Sequence, residues 1–79
     1  MHYAKLENSD RLRRVLAFLR SRGSRGATTR EIVQGANVLA CNTVIDEIRA
    51  NGFDIECVQE GQGLFRYTLR EEAQMRLFG

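Results

Sequence analysis

The 79-residue sequence predicts an α+β fold, three helices followed by a two-stranded hairpin. Three observations predict it. Apolar residues recur at three- and four-residue steps as far as Ile48, they alternate one in two from Phe53 onward, and cap-type residues and glycines mark the joins.

The stretch "NSDRLRRVLAFLRSRG" carries the first helix. Asn8 or Ser9 supplies an N-cap, because a short side-chain oxygen accepts a free backbone N–H of the first turn. Leu12, Val15, Leu16 and Leu19 form one inward stripe with Phe18 at its edge, and Gly23 stops the helix. The arginines fall mainly off the stripe, and "SRGSRGA" reads as a basic, flexible loop.

Thr28 opens the second helix with Glu31 three residues on, a capping-box spacing. Ile32, Val33 and Ala36 point inward. Gly35 lowers helix propensity by about 1 kcal/mol relative to alanine, and Asn37 tolerates left-handed backbone, so the chain turns there. A third helix restarts between Val38 and Asn42, buries Cys41, Val44, Ile45 and Ile48, and ends at "ANG" with Gly52 just past its last turn.

Beyond Gly52 the period changes to two. "FDIECVQ" sets Phe53, Ile55 and Cys57 on one side and Asp54 and Glu56 on the other; "EGQG" is a four-residue connection; "LFRYTL" sets Phe65, Tyr67 and Leu69 inward and Arg66 and Thr68 outward. Two strands do not stand alone in water, so their apolar face is expected to lie on the helices. The tail "REEAQMRLFG" has helical composition, with Ala73 and Leu77 on one face beside Met75 and Phe78; it suits packing on the core and pairing of two copies equally. The whole chain, 1–79, reads as one domain with a core over about 8–69 and a tail over 70–79.

Composition narrows the function. No apolar run is long enough to cross a bilayer and the first residues lack a signal-peptide core, so a cytoplasmic protein is expected. Two cysteines, Cys41 and Cys57, and one histidine, His2, cannot supply a zinc site, and the cysteines read as small buried apolar residues. No metal, no cofactor and no catalytic centre is expected, because neither a nucleophile–base pair nor a phosphate loop is present.

The charge is segregated. Residues 11–30 hold Arg11, Arg13, Arg14, Arg20, Arg22, Arg25 and Arg30 and no acid, a local +7, whereas the remainder sets five bases against ten acids, −5, giving the formal +2 of the chain. A local positive field of this kind draws polyanions, and the arginine fork matches phosphate and guanine edges. A merely solvated arginine face is the plainer reading of the same run.

Three helices and a hairpin in this order are a winged helix-turn-helix arrangement. Two short helices joined by a tight turn let the second project into a DNA major groove. Its outer residues here are Asn42, Thr43, Asp46 and Arg49, and asparagine and arginine are the side chains that pair bidentately with adenine and guanine. The hairpin becomes a wing with Gln59, Gln62 and Arg66 available, while Arg25, Thr29 and Arg30 lie where the second helix starts and suit phosphates, helped by the backbone N–H groups there. Asp46 and Glu47 on the third helix and Glu60 on the wing oppose phosphate contact.

"TTREIVQGANVLACNTVIDEIRANGFDIECV" followed by "FRYTL" resembles a family of small winged helix-turn-helix proteins of bacteriophages and prophages. The matching positions are Thr28, Arg30, Glu31 and Ile32; Ile48, Arg49 and Gly52; Ile55, Glu56 and Cys57; and Arg66, Tyr67 and Leu69, with Asn37 standing where the family more often has glycine or another small residue. The resemblance covers about residues 8–69 and implies a double-stranded-DNA-binding protein of a bacterial host cell. Such a protein is a transcriptional regulator or recombination accessory factor, nucleoid-associated when bound and without catalytic residues; one module this small buries little DNA surface, so binding as a homodimer or cooperatively is expected. The rival expectation is a winged-helix module that binds a protein partner through its acidic third helix or its arginine face.

Overall fold

The computed structural model describes residues 9–71. Helix α1 spans Asp10–Arg22, a 3-10 turn spans Gly23–Arg25, strand β1 spans Ala27–Thr28, helix α2 spans Thr29–Gly35, helix α3 spans Cys41–Ala50, and strands β2 and β3 span Asp54–Gly61 and Leu64–Glu71. The result is three helices against an antiparallel three-stranded sheet in the order β1-β3-β2.

The caps act as the sequence indicates. Ser9 Oγ accepts from the Leu12 N–H, and Gly23, at φ 59°, closes α1. Thr28 and Glu31 form a complete capping box, Thr28 Oγ1 accepting from the Glu31 N–H at 3.2 Å and Glu31 Oε1 from the Thr28 N–H at 2.9 Å. Thr28 is thus the cap and Thr29 the first helical residue. Asn37 takes φ 56°, the left-handed residue of the α2–α3 turn.

The apolar stripes of the three helices enter the core as expected. Leu12, Val15, Leu16 and Leu19 of α1 meet Ile32 and Ala36 of α2 and Cys41, Val44, Ile45 and Ile48 of α3, with Val38, Phe53, Ile55 and Tyr67 closing the edges. Burying so many aliphatic side chains, at ~1.5–3 kcal/mol each, is what holds a chain this small together. Gly35 has a reason that propensity alone does not reveal. A Cβ there would run into Cε1 of Phe18 and lie 2.6 Å from its Cζ, so the missing side chain lets the α1 ring close on α2.

Six expectations are corrected. The wing is not a lone hairpin, because Ala27 and Thr28 pair with Tyr67 and Arg66 as a third strand. Only two residues, Gln62 and Gly63, join β2 to β3, so the four-residue connection is shorter, and Glu60 and Gly61 belong to the strand. Cys57 is exposed rather than a buried thiol, because it borders an open groove against α3, and Phe65 is 36% exposed, because the outer part of the hairpin lies beyond the base that packs on the core at Ile55, Tyr67 and Leu69. Thr68, expected outward, is buried because the Gly23–Gly26 turn lies over it. Arg70 and Glu71, placed with the helical tail expected over 70–79, instead continue β3, while the rest of that tail, with Ala73 and Leu77, lies outside the described residues.

Gly26 makes that closure. It is buried, holds φ 63°, and a Cβ on it would collide with Thr68 Oγ1 and the Tyr67 carbonyl. Gly26→Ala is expected to cost about 2 kcal/mol or more of stability through strain and overpacking together. Gly63→Ala, at φ 72° with open space around it, adds backbone strain alone. Urea denaturation of the two variants checks this: equal midpoints would show that the turn does not press on β3.

Candidate functional site

α3 is amphipathic around a full turn. Cys41, Val44, Ile45 and Ile48 enter the core, and Asn42, Thr43, Asp46 and Arg49 stay exposed. Glu47 does not join them. It is 6% exposed and accepts from Arg11 Nη2 of α1 at 3.1 and 3.4 Å, a pairing that offsets the cost of taking its charge out of water. Asp46 is therefore the one carboxylate on the outer face of α3 among the described residues.

Two grooves flank this face. One, of about 270 Å³, runs between α3 and the hairpin and is lined by Asn42, Ile45, Asp46, Arg49, Cys57 and Tyr67. Tyr67 spans it, donating its hydroxyl to Asn42 Oδ1 at 2.8 Å; burial pushes the phenol pKa up, so it remains a donor. Asn42 keeps its amide N–H₂ for a partner. Burial likewise raises the Cys41 thiol, which stays protonated in the core. The second groove, of about 320 Å³, is lined by Thr29 of α2 and by Leu39, Ala40, Cys41, Asn42 and Thr43 at the start of α3. The N-cap of α3 is Ala40, which offers no side-chain acceptor to the first-turn N–H groups.

The structure thus gathers Thr29, Asn42, Thr43, Asp46 and Arg49 along one side, with Arg30 following Thr29. The remaining candidates sit apart. Gln62 occupies the exposed hairpin turn, and Gln59 donates to the Gly61 carbonyl at 3.2 Å. Arg66 is a clamp: Nε donates to Glu60 Oε2 at 2.8 Å, Nη1 donates to the Arg25 carbonyl at 2.9 Å, and Glu31 Oε1 lies 3.9 Å away. Its hydrogen bond to Glu60 raises its pKa further.

Most of the arginine run turns out to be internal wiring. Arg11 holds Glu47, Arg14 bridges Asp10 and the Ala36 and Asn37 carbonyls, and Arg22 reaches the Gly26 carbonyl and Glu31 while lying over the Phe18 ring. Arg25 and Arg30 are different. Both are exposed, and neither has a carboxylate partner among the described residues; Arg25 makes only a 3.4 Å bond to the Arg22 carbonyl. At the start of α2 the capping box takes the Glu31 N–H, so fewer backbone donors remain for an anion than the sequence suggests. The Glu31 carboxyl pKa is lowered, first by the Thr28 N–H bond and then by Arg22 and Arg66.

Among the described residues, no helix is long and apolar enough to cross a membrane and no group of three or more metal-ligating side chains converges. No family model, curated protein or solved structure matches the chain.

Arg49 carries a structural duty that periodicity does not reveal. Its Nη2 and Nε donate to the Ile55 carbonyl at 2.8 and 3.2 Å, tying the end of α3 to β2, with Asp46 at 3.7 Å. Arg49→Ala is expected to lower stability by about 1 kcal/mol, the usual worth of a part-buried hydrogen bond. A denaturation midpoint equal to wild type would free Arg49 from that duty and leave it solely a surface residue.

Proposed function

We propose that the chain is a winged-helix DNA-binding protein that places α3 in the major groove of double-stranded DNA. In this reading it is a regulator or recombination accessory factor of the phage and prophage kind that its sequence resembles. The observation that carries the proposal is the pairing pattern of the charges. Arg11, Arg14, Arg22 and Arg66 are held by carboxylates or carbonyls, whereas Arg30 is exposed, has no carboxylate partner among the described residues, and follows Thr29, which lines the groove where α3 begins. An unpaired arginine in the first turn of α2 suits a phosphate, and the exposed Asn42 and Thr43 on α3 then face base edges.

Glu47 is turned away from that face and Glu60 is neutralised by Arg66, so two of the three carboxylates that argue against DNA are removed from consideration. Asp46 remains, and beside Arg49 it orients a donor or accepts from cytosine N4. One domain of this size buries little DNA surface, which favours two copies on a repeated site. In this reading the polar face of α3 is a binding surface rather than a catalytic one. A second reading, a winged-helix module docking a protein, has in its favour that Arg49 is already engaged by the Ile55 carbonyl.

Salt dependence separates a phosphate contact from a passive surface charge. Arg30→Ala and Arg25→Ala are each expected to weaken binding to all duplexes and to flatten the slope of log affinity against log salt by about 1. Fluorescence anisotropy on a fixed duplex at several salt concentrations reads it. Slopes identical to wild type would remove both residues from the phosphate contacts.

A further inference from the structure

The residue before the N-cap of α3 is the anomaly of this surface. Leu39 is 96% exposed, against 48% for Val58, the next most exposed large apolar residue described. An apolar residue at this position ordinarily staples itself to the fourth residue of the helix. Here that residue is Val44, which is 1% exposed, while Val38 takes the interior place at 6% exposure. Leu39 therefore adds nothing to the core.

Its location is specific. Leu39 forms the ridge between the groove it shares with Thr29, Asn42 and Thr43 and a third groove of about 340 Å³ that it shares with Arg11 and Arg14 of α1. The ridge is flanked on one side by the start of α2, where Arg30 is unpaired, and on the other by the cations of α1. Resting on the major-groove reading above, the first turn of α3 is what approaches base edges, and Leu39 is the large apolar side chain exposed there. The apolar group that the major groove displays is the C5-methyl of thymine.

We propose that Leu39 is a specificity-determining residue that packs on a thymine C5-methyl in duplex DNA and makes the protein prefer thymine at one position of its site. The contact complements the polar readers: Asn42 and Thr43 supply hydrogen-bonding groups, and Leu39 distinguishes the methylated pyrimidine from a bare one.

The test uses the full chain and the tightest-binding duplex from a random pool, synthesised with thymine and again with uracil replacing each thymine in turn. Uracil pairs as thymine does but lacks the methyl. Wild type is expected to lose about three- to fivefold in affinity at one position, the worth of one buried methyl-sized group. Leu39→Ala is expected to bind the thymine duplex more weakly by a similar factor and to show no thymine–uracil difference, and Leu39→Met to restore part of it. The exposed position predicts unchanged thermal melting for both variants. A thymine preference that survives in Leu39→Ala, or wild-type binding indifferent to uracil, would overturn the role of Leu39 while leaving DNA binding intact. Failure of wild type to bind any duplex would overturn both.

Discussion

The carboxylate of Glu31 sets the geometry on which the rest of the structure depends. It accepts the Thr28 N–H at the start of α2, lies 3.3 Å from the Arg22 guanidinium at the end of α1, and sits 3.9 Å from Arg66 on β3. Three elements, α1, α2 and β3, thus converge on one small acid. The capping box alone would fix where α2 begins but not how it stands against α1 or the sheet. Arg22 and Arg66 add that orientation, and Arg66 extends the link through Glu60 to the wing and through the Arg25 carbonyl to the turn before β1. Surface ion pairs taken singly contribute little; a shared carboxylate with bonds to backbone groups acts as a network.

This wiring also decides what the surface offers to a partner. Arginines that hold carboxylates and carbonyls within the domain contribute less to an outside polyanion than their number suggests. The effective positive field shrinks toward Arg25 and Arg30, and the internal pairing of Glu47 with Arg11 clears the outer face of α3 of one negative charge. Fold stability and the candidate interface therefore draw on the same arginine-rich segment but on different members of it. The separation explains how a chain with a formal charge of only +2 can present a locally basic edge.

Helical periodicity and capping chemistry made much of this legible in advance. The stripe Leu12, Val15, Leu16, Leu19, the capping box at Thr28 and Glu31, the left-handed Asn37 and the buried set on α3 all follow from local rules that the sequence states directly. What was not legible depends on long-range approach. The two residues of β1 are too few for any alternation to show, and the strand exists because Tyr67 and Arg66 pass beside it. Cys57 alternates correctly with Ile55, yet it borders the open groove between the hairpin and α3 and so stays exposed. The ring packing that selects Gly35 joins residues on two helices, and the bond from Arg49 to the Ile55 carbonyl reaches across the α3–β2 corner. Of the candidate site, residue identities on α3 were readable, but which charges are free was not, since pairing is a property of the folded surface. Leu39 carries no sequence signal at all: an apolar residue in a turn usually packs, and only its 96% exposure marks it.

The central claim is that α3 reads duplex DNA. Its most direct test is selection of the full chain on a random duplex library, followed by mapping of the enriched sequence with Asn42→Ala and Thr43→Ala. The account predicts an enriched motif, repeated or pseudo-palindromic if two copies bind, whose preferences relax at separate positions in the two variants. A library that returns unenriched, with only weak binding that disappears at moderate salt, would contradict it and direct the polar face of α3 to a protein partner.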